Sequence, residues 1–138
     1  MQNFQKMYLI TDKEHEHDVI HCPNHYDAAG ANVHIEPIDL VRRLDFLLGN
    51  AMKYLFRYNL KGKPEEDLRK AHQYLEWYFS DGCKIHWYTD IVGELAKMFL
   101  LQQKNYHPAL VELLTGLTMP TSMPNKAYNA LLELEDYK

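Results

Sequence analysis

The segment LGNAMKYLFR (residues 48–57) is predicted to be the second half of a helix around which the rest of the chain is organised. Within it, Asn50, Lys53 and Arg57 stand at i, i+3 and i+7, so they share one helical face with Tyr54. Charged groups on a face that is otherwise apolar are costly to bury unless they are paired or used. This face therefore marks a candidate functional surface.

A second helix is predicted to follow the short basic loop at residues 58–64, in which Gly62 and Pro64 are placed to end one helix and begin the next. It runs from Glu65 to about Phe79 and repeats the same spacing with three polar side chains, Asp67, Lys70 and Tyr74. If the loop folds the two helices back antiparallel, Arg57 lies near Asp67 and Asn50 lies near Tyr74. The sequence therefore predicts a helical hairpin with a polar strip between its two helices.

The first helix is predicted to begin near Glu36–Pro37, because proline and acidic residues suit the first turn. Apolar residues then recur every three to four positions as far as Leu55, so one long helix is expected. Gly49 in its middle is unfavourable by about 1 kcal/mol relative to alanine. Close helix packing and close approach of a ligand are both consistent with it.

Further helices are predicted over Tyr88 to about Gln103, over Pro108 to Leu117, and from an Asn125 cap to about Asp136. We therefore predict an all-α small helical bundle built on an antiparallel helical hairpin, with an irregular N-terminal segment. It is expected to be a single domain, residues 1–138, with an N-terminal arm and loop (1–34), the hairpin (35–80) and C-terminal helices (83–138).

Bulk properties exclude several classes of protein. The chain has 138 residues, a net charge of −4 and two cysteines, which argues against general nucleic-acid binding and against a disulfide framework. The polar residues near the N-terminus do not fit a signal peptide, and no apolar run reaches the ~20 residues that a membrane span needs. A soluble cytoplasmic protein is expected.

Histidines are concentrated before the first helix. This group contains His15, His17, His21, Cys22, His25 and His34. Imidazole and thiolate are ligands for zinc, but the spacing matches no zinc template. A polar loop with ordinary histidines is the preferred interpretation, and no metal site is predicted.

No phosphate loop, dinucleotide-binding motif, HExxH or GxSxG sequence is present. What remains is the polar strip, where Lys53, Arg57, Lys61 and Lys70 converge with few acids to oppose them. Arginine forks onto phosphate and lysine supplies a point charge, so the strip suits an anion with several charged oxygens. An ordinary Arg57–Asp67 salt bridge with solvated lysines is the alternative.

The chain resembles a small phage protein family, DUF3310 (also called SaV-like). The resemblance runs from His25 to Glu76 and rests mainly on the patterns GN-x-x-KY-x-x-R (from Gly49) and ED-L-x-KA-x-x-YL (from Glu66). His25–Tyr26 and the segment IEPID at residues 35–39 add to it. Members of this family are often labelled nucleotide kinases, because the C-terminal part of the nucleotide kinase of T7-like phages is similar to the same hairpin.

That resemblance implies a deoxynucleoside monophosphate kinase without a phosphate loop, with ATP or a dNTP as donor and an uncertain need for Mg²⁺. The catalytic residues it implies are Asp67, Arg57 and Lys53, with Asp67 orienting Arg57 or acting as a base. The substrate- and phosphate-binding residues it implies are His25, Tyr26, Glu36, Asn50, Lys61, Lys70 and Tyr74. The expected location is the cytoplasm, that of the host cell if the protein is phage-encoded.

Two other functions stay open. One is a non-enzymatic phage protein that binds a host or defence protein through its C-terminal helices. The other, ranked lower, is a MazG-like nucleotide pyrophosphohydrolase, which would need several carboxylates to hold Mg²⁺. Apolar residues lie on more than one side of the first helix, so a homo-oligomer is expected in all three cases.

Overall fold

The computed structural model describes residues 34–60, 62–82 and 88–138, which are mostly helical and contain no strand. The α-helices in this part of the chain are α1 (Pro37–Val41), α2 (Phe46–Arg57), α3 (Pro64–Ser80), α4 (Asp90–Leu101), α5 (Pro108–Thr118) and α6 (Met123–Glu133). Two 3₁₀ turns, Pro120–Ser122 and Glu135–Tyr137, flank α6. The prediction of an all-α bundle is confirmed. The predicted irregular N-terminal segment lies almost wholly outside the described residues.

Contacts divide the chain into two units, residues 1–39 and 40–138. In the first unit, the start of α1 is stabilised locally: the Glu36 amide donates to the Asp39 carboxylate at 2.8 Å. Such a bond satisfies one of the amide groups that a helix leaves free at its N-terminus. The prediction of a single domain stays a prediction.

One continuous first helix was the wrong expectation, because the chain breaks between α1 and α2. Asp45 ends the break by capping α2, accepting from the Leu48 amide at 2.9 Å. The same side chain also accepts from the Tyr88 hydroxyl at 2.8 Å, and burial together with that carboxylate raises the pKa of Tyr88. Asp45 is thus bound to two groups, one of which is an amide that α2 leaves free at its N-terminus.

The break also explains Gly49. A Cβ atom added there would lie 3.1 Å from the Val41 carbonyl oxygen, because the end of α1 packs against the first turns of α2. Of the two interpretations that the sequence allowed, close packing is the one the geometry supports.

The helical hairpin itself is confirmed. Helix α3 begins with Pro64 at its first position and carries three acidic residues in its first turn, which suit the positive end of the helix dipole. Gly62 and Gly82 have φ angles of +78° and +98°, so each takes the left-handed conformation that the predicted turns before and after α3 require. Helices α2 and α3 pack together more extensively than any other pair in the described residues.

The C-terminal helices support this hairpin. Helix α5 packs on α4 and α6 and also contacts α2, while α6 contacts α3. Phe56 joins α2 to α4 through Phe99, with ring centroids 4.9 Å apart, and Phe79 joins α3 to α6 through Tyr128 at 5.9 Å. Fully buried leucines, each worth roughly 1.5–3 kcal/mol, fill the space between the helices. They include Leu48, Leu55, Leu75, Leu95, Leu110, Leu113 and Leu114. The outer face of the hairpin is left to carry polar groups.

The last helix begins earlier than predicted. Asn125 was expected to cap it, but α6 begins at Met123 with Ser122 in the cap position and Pro124 in the first turn. The 3₁₀ turn before α6 brings the chain into helical geometry ahead of Asn125, although the Ser122 side chain makes no cap hydrogen bond.

The crossing of α5 and α6 depends on Gly116, and we expect Gly116→Ala to destabilise the protein. The added methyl would lie 2.9 Å from the Cβ of Lys126 and 2.6 Å from the Met123 sulfur, so the helices must move apart. Overpacking of this kind costs about 1–3 kcal/mol, which exceeds the gain of up to about 1 kcal/mol from replacing a helical glycine.

Gly93→Ala is the matched control, because its nearest contact would be an ordinary 3.5 Å to the Leu117 carbonyl oxygen. Urea denaturation should show Gly116→Ala less stable and Gly93→Ala as stable as the wild type or more so. Equal stability of the two variants would contradict the close crossing.

The start of α5 predicts a pH dependence. The His107 Nδ1 atom accepts from the Ala109 amide at 3.0 Å, which requires that nitrogen to be unprotonated. Burial lowers the pKa of His107 from its usual 6.5, and Glu133 opposes this shift. The unfolded chain therefore binds the proton more readily than the folded chain. The contribution of neutral His107 to the free energy of unfolding is thus present above about pH 6.5 and is lost as the pH falls through the folded-state pKa.

We expect the free energy of unfolding of the wild type to fall between pH 7.5 and pH 5.5 relative to that of His107→Asn. Asparagine keeps a capping oxygen and does not titrate, and a cap is worth about 0.5–2 kcal/mol. If the free energy of unfolding changes with pH equally in the wild type and in His107→Asn, neutral His107 does not stabilise the start of α5.

Candidate functional site

Helices α2 and α3 run antiparallel, and this places the polar residues of one against those of the other. At the loop end Arg57 meets Asp67, and further along Phe46 meets Tyr74. Tyr74 also stacks on Tyr54 at 6.0 Å, so it lies between Tyr54 and Phe46, the residues one turn either side of Asn50. The predicted register of the hairpin is therefore confirmed at both ends.

The Arg57–Asp67 pair is well defined. The Arg57 Nε atom lies 3.3 Å from both Asp67 carboxylate oxygens, and Nη2 lies 3.2 Å from Oδ1. The Asp67 side chain is 3% exposed whereas that of Arg57 is 38% exposed. A buried carboxylate thus holds a half-exposed guanidinium, whose Nη1 group takes no part in the pair. This geometry favours the orienting role for Asp67 over the role of a base that must reach a substrate.

Tyr54 lies at the centre of a cluster of three cations. Lys53 Nζ, Arg57 Cζ and Lys70 Nζ lie 4.6, 5.0 and 5.3 Å from the centroid of its ring. These distances are within the range of cation–π attraction, which offsets part of the repulsion between the three charges. Because all three cations lie close to one ring, they are placed to act together on an anion bound beside that ring. We call Lys53, Arg57, Lys70 and Tyr54 the cationic cluster.

The acids around the cluster do not neutralise it. Glu66 contacts Lys70 at 3.2 Å, and its pKa is lowered first by that hydrogen-bonded lysine and then by the positive charges of Lys63 and Arg57. Lys53, Arg57 and Lys70 thus stand against Glu66 and Asp67, a surplus of one positive charge on a chain whose net charge is −4. Because the Glu66–Lys70 pair is exposed, an incoming anion can replace Glu66 at little cost.

Two other predicted site residues lie on the hairpin. Asn50 is partly turned toward its own helix: its Nδ2 atom donates to the Phe46 carbonyl at 2.8 Å, which leaves one amide N–H and the oxygen for other partners. Tyr74 makes ring contacts with Phe46, Tyr54 and Trp77. Their predicted roles in substrate binding stay predictions.

The remaining predicted site residues are not on the described hairpin. Glu36 belongs to the N-terminal unit, where it lies 3.6 Å from His34. Lys61, His25 and Tyr26 lie outside the described residues, as does the histidine-rich segment apart from His34. Among residues 34–60, 62–82 and 88–138, no group of three or more histidine, cysteine or acidic side chains is placed to hold a metal ion.

Sequence reasoning placed Tyr54 on the correct helical face but gave no role in the site to Tyr54, Phe46 or Trp77. The pattern was nevertheless readable. Phe46, Asn50 and Tyr54 are spaced by four residues, and Trp77 follows Tyr74 by three, so each set lies on one helical face. Aromatic residues at helical spacing usually indicate core packing, so the spacing alone does not indicate a site.

The fold and this surface define a class: an all-α protein whose antiparallel helical hairpin presents cations around an aromatic ring. Residues 20–76 match the model of the family DUF3310, described as a protein of unknown function. This match, over less than half of the chain, confirms the family resemblance for that segment. The matched segment contains α1, α2 and most of α3, and therefore the whole cationic cluster.

The other comparisons found no match, either among curated proteins or among solved structures. In the part of the chain that the structure describes, no helix has the length and apolar character needed to cross a membrane.

Proposed function

We propose that this protein binds nucleotides at the cationic cluster and transfers a phosphoryl group from a nucleoside triphosphate to a deoxynucleoside monophosphate. The observation that supports this most directly is the convergence of Lys53, Arg57 and Lys70 on one ring, with a surplus of positive charge. Phosphoryl transfer requires positioning of two phosphates and neutralisation of charge spread over their oxygens, and it requires little covalent chemistry from the protein.

Each residue has a definable role in that reaction. Asp67 fixes the orientation of the Arg57 guanidinium. The remaining N–H groups of Arg57 can then donate two parallel hydrogen bonds to phosphate oxygens. Lys53 and Lys70 supply mobile point charges that can follow the phosphoryl group. Asp67 is a positioning residue that acts through Arg57.

The proposed chemistry needs no base from the protein. An oxygen of the acceptor monophosphate attacks the terminal phosphorus of the donor, and the bond from that phosphorus to the bridging oxygen breaks to release a nucleoside diphosphate. The second pKa of a phosphate monoester is about 6, so the attacking oxygen is already ionised at neutral pH. A buried Asp67 paired with Arg57 is consistent with this.

The test is a product assay. Purified protein is incubated with each deoxynucleoside monophosphate and ATP or a dNTP, with and without Mg²⁺, and the products are separated by ion-exchange chromatography. Formation of the deoxynucleoside diphosphate supports the proposal. Release of pyrophosphate instead would overturn it in favour of a pyrophosphohydrolase. Absence of both reaction and nucleotide binding, with stable capture of a single host protein, would overturn it in favour of an interaction protein.

A further inference from the structure

Large aromatic side chains are exposed on the hairpin beside the cationic cluster. Phe46 is 71% exposed and Trp77 is 48% exposed. Both contact Tyr74, at 5.9 and 5.5 Å between ring centroids, and both do so nearly at right angles, with interplanar angles of 72° and 82°. We call Phe46, Tyr74 and Trp77 the aromatic end of the hairpin.

The aromatic end continues directly into the cationic cluster. Tyr74 stacks on Tyr54 with their planes 16° apart, and Tyr54 is the ring around which Lys53, Arg57 and Lys70 lie. One surface of the hairpin therefore passes from exposed apolar rings to positive charge across two neighbouring tyrosines. A ligand that complements it has a flat apolar part and an anionic part on the same molecule.

We propose that Phe46 and Trp77 form the subsite for the nucleobase of the ligand whose phosphates bind at the cationic cluster. This inference rests on the proposed function, which it extends by assigning the base. Nucleobases stack on aromatic side chains with little preference for sequence, because every base has a π-face. The free amide oxygen and N–H of Asn50, one turn from Phe46, are placed to bond the edge of the base.

A nucleobase could come from a mononucleotide or from a single-stranded nucleic acid. The three cations around one ring suit the phosphates of one nucleotide, whereas tracking a strand requires a longer basic groove. We therefore assign the subsite to a mononucleotide. A single-stranded oligonucleotide serves as a separate ligand to test this assignment.

Trp77 can report on stacking directly. The chain has two tryptophans, Trp77 and Trp87, so a Trp87→Phe variant leaves Trp77 as the single tryptophan. Its fluorescence is titrated with dGMP, dTMP and ATP, with inorganic tripolyphosphate as the ligand that has charge but no base. We expect quenching by the nucleotides and none by tripolyphosphate.

Substitution then separates the base from the phosphates. Calorimetric titration of Phe46→Leu and Trp77→Leu should show nucleotide affinity reduced by about 5- to 100-fold, with the affinity for tripolyphosphate unchanged. Leucine keeps the apolar character of the helix surface, and thermal denaturation checks that both variants fold. Tyr128→Leu is the matched control, because Tyr128 is 52% exposed on α6 and also packs edge-on against a neighbouring ring.

The outcomes separate this inference from the proposed function. Unchanged nucleotide affinity in both leucine variants, with binding of tripolyphosphate intact, overturns the base subsite and leaves the phosphate site standing. Failure of the wild type to bind either nucleotide or tripolyphosphate overturns both. Tighter binding of a single-stranded oligonucleotide than of any mononucleotide, weakened by the same substitutions, would support the subsite but overturn its assignment to a mononucleotide.

Discussion

Alanine in place of Arg57 is expected to remove phosphate binding and to lower the free energy of unfolding by about 2–3 kcal/mol. Asp67 is buried, and Arg57 is its ion-pair partner. Removing one partner of a buried ion pair costs about 3–5 kcal/mol, because the other charge is left uncompensated, and the partial exposure of Arg57 reduces this figure. Urea denaturation measures the stability, and calorimetry with ATP measures binding.

The double variant Arg57→Ala/Asp67→Ala separates the structural role of the pair from its binding role. Removing the unpaired carboxylate as well should recover part of the lost stability. Loss of both members of a buried ion pair costs less than loss of one member, because no uncompensated charge is left buried. Nucleotide binding should stay lost, because no guanidinium is restored. Arg69→Ala, at an exposed arginine on α3, should change stability by no more than about 0.5 kcal/mol and leave binding intact. A double variant that binds nucleotide as the wild type does would exclude Arg57 from the site.

This pair also shows how far the sequence could predict the site. The i, i+3, i+7 spacing on two consecutive helices was enough to place Arg57 against Asp67, because a short loop leaves an antiparallel hairpin few choices of register. The same spacing could not show that Asp67 would be buried and Arg57 half-exposed. Burial depends on where α4–α6 pack, and that is decided by contacts distant in the sequence.

The break between α1 and α2 was missed for a related reason. Apolar residues continue at helical spacing through Arg42–Leu44, so periodicity alone favours one helix. Asp45 is a good capping residue, but its cap is reinforced by Tyr88, 43 residues away. A local sequence pattern contains no information on a contact between residues that are so far apart in the chain. The clue that was available was Gly49, whose unfavourable helix propensity indicated close packing at this point of α2.

The aromatic end was missed because residue type and spacing do not report exposure. Leu55 and Trp77 both lie on apolar helical faces, yet Leu55 is 1% exposed and Trp77 is 48% exposed. Only the packed structure separates a core face from an exposed one. The packed structure also shows that the ring of Tyr54 lies at the centre of the cluster, with the charged residues around it.

Replacing both Lys53 and Lys70 with methionine is expected to weaken ATP and tripolyphosphate binding by about 100-fold or more while leaving the fold intact. Each charge-assisted hydrogen bond contributes about 1.5–3 kcal/mol, so the loss of two gives at least this factor. Methionine keeps the straight aliphatic chain and the helix propensity of lysine. Lys53 is exposed, and the Glu66–Lys70 pair is a surface pair, so neither substitution removes a contact on which folding depends.

Lys97→Met is the matched control, because Lys97 pairs with Glu94 at 3.5 Å on the surface of α4, as Lys70 pairs with Glu66 on α3. It should leave binding unchanged. The melting temperature of the unliganded double variant should equal or slightly exceed that of the wild type, since crowding of like charges around Tyr54 is relieved. Binding of the wild type should weaken with added salt, and that of the double variant should depend on salt less steeply. A double variant with wild-type affinity and salt dependence would show that the lysines are solvated surface groups. In that case the hairpin is a scaffold whose function lies elsewhere on the chain.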